Sequence, residues 1–106
     1  MKLTTLDSIK NFIKENTMSI LYFSSNTCNV CHALYPKIEE VVLKYPNIKL
    51  AEVEITDVPE SAGEYSIFSF PTILVFIDGK EIARKSRIVS IDDFQATIDK
   101  YYSLVF

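Results

Sequence analysis

Hydrophobic positions recur along the chain with two alternating periods, and the switches between them mark the elements. Lys2 to Thr5 reads as a short edge strand. Thr5 then stands as N-cap to a helix with Leu6, Ile9, Phe12 and Ile13 on one face, ending near Asn16. Met18 to Ser24 is apolar on both faces, the pattern of a strand in the middle of a sheet. Leu34, Ile38, Val41, Val42 and Tyr45 follow at helical spacing, so a second helix is expected to about Lys44. Pro36 inside it removes one backbone hydrogen bond and predicts a kink. Pro46-Asn47 closes the helix, and Ile48 to Ile55 alternates as a strand does. Pro59 to Tyr65 suggests a short helix with Ala62 and Tyr65 turned inward. Thr72 to Ile77 is a strong strand, and Asp78-Gly79 is a hairpin signal that pairs it with a strand from Lys80 to about Val89. Ser90 caps a last helix with Ile91, Phe94, Ile98 and Tyr101 on its buried face, and Asp92 and Asp93 complement its dipole.

Strands alternating with helices, then a hairpin and a helix, predict an α/β fold. Its central mixed sheet has four to five strands flanked by about four helices. Ligand chemistry in such sheets collects beyond the carboxyl ends of the strands. Ser24 to His32 lies at such an end and holds both cysteines and the only histidine. The apolar stripe of the second helix extends back through Leu34 to Cys31, so Cys31 is expected to face the core, while Cys28, at the very N-terminus of the helix, is expected to reach solvent. Free N–H groups and the helix dipole favour a thiolate at a helix N-terminus. Cys28 is therefore the candidate nucleophile. Cys31, one turn on and shielded, is placed to resolve a mixed disulfide.

Composition narrows the chemistry further. The 106 residues, 48% of them hydrophobic, suit a single domain spanning 1–106. A net charge of −3 without a basic cluster argues against a nucleic-acid partner. The first residues carry no signal-peptide core and no apolar run reaches membrane-spanning length, so the expectation is a cytoplasmic protein without a membrane partner. Two cysteines in that compartment point to catalysis or a metal. A zinc site would need two carboxylates to complete it, and the Cys-x-x-Cys-His string of haem attachment implies export. No metal and no cofactor beyond the cysteine pair is expected, and His32 reads as a solvated first-turn residue. Glu39, Glu40, Lys37 and Lys44 read as a solvated helix face.

Cys-x-x-Cys at a strand-to-helix join, Pro36 in the following helix, Pro71-Thr72 entering a strand and Asp78-Gly79-Lys80 in a hairpin together resemble the thioredoxin superfamily. The resemblance covers essentially the whole chain. It implies a thioredoxin-like fold, Cys28 as attacking and Cys31 as resolving cysteine, and Pro71 as a cis-proline beside the dithiol. It also implies that Phe70 offers its backbone to an extended substrate segment. Protein disulfides would be the substrates, and a reductase of the thioredoxin-reductase type the upstream partner. Several positions depart from the family pattern. Thr27 stands where thioredoxins have a tryptophan before the first cysteine, and Asn29-Val30 where they have Gly-Pro. Their buried aspartate falls on Tyr22, the lysine near it on Glu52, and a glycine of the substrate groove on Arg87.

These departures shape the remaining expectations. Glu52, hydrogen-bonded by Tyr22, is the candidate acceptor of the Cys31 proton. Thr27, Phe70, Pro71 and Arg87 are the candidate substrate contacts, with Phe70 near the site and Phe68 turned inward. Arg87 would prefer acidic substrates if it borders the groove. Tyr101, Tyr102 and Phe106 read as core and helix-end packing. The leading function is thiol–disulfide oxidoreduction on protein disulfides. The alternative is a binding or redox-sensing module on the same scaffold with little turnover.

Overall fold

The computed structural model describes residues 1–106. The elements are α1 (Leu6–Glu15), β1 (Met18–Ser24), α2 (Asn29–Val42), β2 (Ile48–Glu54), α3 (Ser61–Glu64), β3 (Thr72–Ile77), β4 (Lys80–Ser86) and α4 (Ile91–Val105). One mixed sheet has the order β2-β1-β3-β4, with β1 parallel to β2 and antiparallel to β3.

The alternation of side chains sorts the core into two layers. Met18, Ile20, Tyr22, Ile73 and Val75 pack with Cys31, Ile38, Val41, Phe94 and Ile98 of α2 and α4. Leu21, Phe23, Leu74 and Phe76 pack with Ile9, Phe12 and Ile13 of α1 and with Val58 and Ile67 around α3. Because β1 and β3 are central, both of their faces are buried. β4 is an edge strand, and its charged residues Lys80, Glu81, Arg84 and Lys85 keep that edge from pairing with another chain.

Local chemistry sets the boundaries. Thr5 and Ser8 form a reciprocal capping box at α1, and the Ser90 hydroxyl accepts the Asp93 N–H at α4. The expected strand at Lys2 to Thr5 shrinks to a single bridge, Lys2 to Glu52. Leu3 N–H donates to Glu52 O and Glu52 N–H to Met1 O, at 3.0 and 2.8 Å. Thr5 is already committed to capping, so the strand cannot lengthen. Asp78 and Gly79 both take positive φ, +50° and +80°, as a type I′ hairpin turn requires. Ile82 is the extra residue of a bulge opposite Val75 and Phe76. β4 ends at Ser86 rather than near Val89, because Arg87 turns to φ +65° and leaves the ladder. α2 continues unbroken through Pro36.

Candidate active site

β1 ends at Ser24, whose carbonyl accepts the Ile55 N–H at 2.9 Å, and the chain turns through Ser25 to Thr27 into α2. Cys28 is the N-cap. Its sulfur accepts the Cys31 N–H at 3.2 Å, one of the donors a helix start leaves without an intrahelical partner. The two cysteines are joined as a disulfide, with Cα atoms 5.3 Å apart. Cys28 is half-buried and lines a cleft, whereas Cys31 is only 1% exposed and belongs to the core. The rim-and-core split read from the apolar stripe is therefore present in the fold.

The cleft beside Cys28 has a volume of about 500 Å³. Asn29, Val30 and Leu34 of α2 line it together with Phe70, Arg87, Ile88 and Val89. Phe70-Pro71 is a cis peptide, and the Pro71 carbonyl accepts the Arg87 N–H at 2.9 Å. Phe70 and Arg87 are thus brought to Cys28, and Pro71 lies buried next to them. Thr27 is not part of the cleft: it is exposed, with its hydroxyl 3.2 Å from that of Ser25. Phe68 points outward, 89% exposed, against the expectation of an inward ring. The physical cause lies two residues back. Ser66 adopts φ +55° and Ile67 N–H bonds Ala62 O, so Ile67 takes the buried position and alternation turns Phe68 out.

Beneath the cysteines, Tyr22 replaces the expected relay with a different contact. Its hydroxyl donates to the Cys31 carbonyl at 2.8 Å and makes no hydrogen bond to Glu52. Burial, reinforced by the Glu52 charge, pushes the Tyr22 phenol well above its ordinary range, so it stays a neutral donor. Tyr35 packs edge-on against it, ring centroids 5.0 Å apart, and is pushed up to about 12, mainly by burial. Glu52 is half-exposed and sits in register beside Tyr22. His32 is exposed, with Nε2 3.3 Å from the Asn26 carbonyl, bracing the loop that leads to Cys28.

Two contributors escaped sequence reasoning. Tyr35 carried a signal in its spacing, one turn after Cys31. Arg84 carried none, because its role depends on where the chain folds back. Its guanidinium donates to the carbonyls of Tyr65 and Ser66, each at 2.8 Å, and binds both carboxylate oxygens of Glu81. It therefore ties β4 to the segment that leads to Phe70-Pro71.

A helix-capping sulfur at the rim of a cleft, bonded to a sulfur buried one turn on, defines a thiol–disulfide oxidoreductase of thioredoxin-like build. The thioredoxin family model matches residues 1–100, and the chain belongs to the thioredoxin family. It is 41% identical over 102 residues to the thioredoxin-like protein YdfQ of Bacillus subtilis, covering 96% of this chain and 91% of that one. A thioredoxin of Chlamydia trachomatis is 30% identical over 82 residues, covering 77% and 80% of the two chains. Among solved structures, Fasciola hepatica thioredoxin superposes with TM-score 0.85 at 28% identity, covering 93% of this chain and 96% of the other. Plasmodium falciparum thioredoxin gives TM-score 0.87 at 23% identity, with 94% and 97% covered. No helix is long and apolar enough to cross a membrane.

Proposed function

We propose that this protein reduces or exchanges protein disulfides in the cytoplasm, with Cys28 as nucleophile and Cys31 as resolving thiol. The observation that carries the reading is the asymmetry of the pair: Cys28 half-buried at the cleft with its sulfur on the Cys31 N–H, Cys31 enclosed. In the reduced protein the same N–H and the helix dipole stabilise negative charge on Cys28. The Cys28 thiolate attacks one sulfur of a substrate disulfide, forming a mixed disulfide and releasing one substrate thiolate. Cys31 loses its proton and attacks the Cys28 sulfur. The second substrate thiolate leaves, and the Cys28–Cys31 disulfide closes.

Two electrons pass to the substrate, and a separate reductase of the thioredoxin-reductase type returns them. No cofactor beyond the pair enters the reaction. Phe70 offers the backbone along which an extended substrate segment lies, and Pro71 packs beside the dithiol. Glu52 takes the Cys31 proton. Its place in register beside Tyr22, the residue under Cys31, supports that role.

The test is turnover. With excess dithiol as reductant, the protein at catalytic concentration is expected to reduce a disulfide-bonded protein over many cycles, and Cys28→Ser to abolish it. A single stoichiometric burst that then stops would support the binding or redox-sensing module instead.

A further inference from the structure

Arg87 occupies a backbone conformation that suits glycine and disfavours a side chain, at φ +65°. Its N–H is held by the Pro71 carbonyl at 2.9 Å, which fixes it against the segment that carries Phe70. The neighbouring cations of the hairpin are already committed, Arg84 to Glu81 and Lys85 to Asp93, each at 2.8 Å. Arg87 makes no ion pair. Its side chain is exposed and lines the cleft with Cys28.

The rest of that cleft is apolar apart from Asn29, and no carboxylate lines it. Its rim is open: Val30 is 63% and Ile88 97% exposed. In a chain of net charge −3, one unpaired guanidinium thus stands in an apolar groove beside the proposed nucleophile. Strain retained at such a position points to a use for the side chain.

We propose that Arg87 selects substrates, favouring peptide disulfides with an acidic residue next to the attacked cystine. The occupant is an extended segment that lays apolar side chains on Val30 and Ile88 and a carboxylate on the guanidinium. Planar, two-pronged pairing with carboxylate is what a guanidinium offers and an ammonium does not. This selection rests on the exchange chemistry proposed above and names its substrate class.

The experiment uses three peptides of one sequence, each closed by a single disulfide, with Glu, Gln or Lys beside the second cysteine. Rates of reduction by the reduced protein are measured by chemical quench. The expected order is Glu, Gln, Lys. The Glu-to-Gln ratio should be roughly two- to fivefold at low salt, the size of one exposed charge pair, and should shrink at about 0.5 M salt as screening sets in. Arg87→Gly brings the ratio to unity, and Arg87→Lys retains part of it. Equal rates for the three peptides, or a ratio unchanged in Arg87→Gly, overturn the proposal. The same peptides are titrated by NMR into the Cys28→Ser, Cys31→Ser protein, which cannot exchange. Tighter binding of the Glu peptide there, without turnover in the parent, upholds Arg87 selection and overturns the exchange reading. Turnover without Glu preference does the reverse.

Discussion

At the scale of single residues, Arg87 and Tyr22 each have a cost or gain that can be measured. An L-residue in the left-handed region is disfavoured by about 1 kcal/mol, a penalty glycine escapes. Arg87→Gly is therefore expected to raise stability by about that amount in urea unfolding, while the preference for acidic peptides is lost. Tyr22 has the opposite sign. Its hydroxyl is a buried donor to the Cys31 carbonyl, so Tyr22→Phe is expected to lower stability by about 1 kcal/mol. Its phenol is held neutral by burial, so the pH profile of exchange should survive the substitution. Glu52→Gln should instead slow the Cys31 step near neutral pH, and an unchanged rate there would remove Glu52 from the proton path.

Among elements, β4 does more than finish the sheet. Arg84 reaches from it to the carbonyls of Tyr65 and Ser66 and so holds the segment that presents Phe70 to the cleft. Its hydrogen bonds hold the Glu81 carboxyl below its ordinary range, outweighing partial burial. A carboxyl lowered in the folded state stabilises the fold above its unfolded value and loses that contribution as pH falls through the lowered one. The clamp should thus persist at pH 5 and weaken only below about pH 4, the ordinary range of glutamate. Amide hydrogen exchange of residues 65–70 reads it directly. Protection should be constant above that range and lost below it, and in Glu81→Gln, which has no carboxyl to titrate, it should be low at every pH.

For the whole molecule, most of the architecture was legible because burial leaves a periodic trace. Both faces of β1 and β3 are apolar, α1 and α4 carry single stripes, and Asp78-Gly79 marks its own turn. What stayed illegible depends on one residue leaving the regular backbone. Ser66 in the left-handed region reverses the facing of Ile67 and Phe68, and Arg87 in the same region ends β4 three residues early. No alternation of polar and apolar letters records such a change. At the site, the cysteine pair was readable from its place at a period switch, because the apolar stripe reaches back to Cys31 while Cys28 falls at the very N-terminus of the helix. The Tyr22 contact was not readable, since its acceptor is the Cys31 carbonyl, brought there only by the packing of α2 on the sheet. Arg84 lay beyond reach for the same reason: its acceptors are backbone carbonyls of a distant loop.

The fold as a whole makes the two sulfurs unequal, and that inequality is the central claim. Its most direct test is to trap the mixed disulfide with each single-cysteine protein, using one disulfide-bonded substrate and non-reducing mass analysis. Cys31→Ser, which retains the half-buried helix-cap thiol, should accumulate a stable mixed disulfide through Cys28. Cys28→Ser, left with the buried thiol, should accumulate none. Equal trapping by both variants, or trapping only through Cys31, would contradict the assignment of attacking and resolving roles.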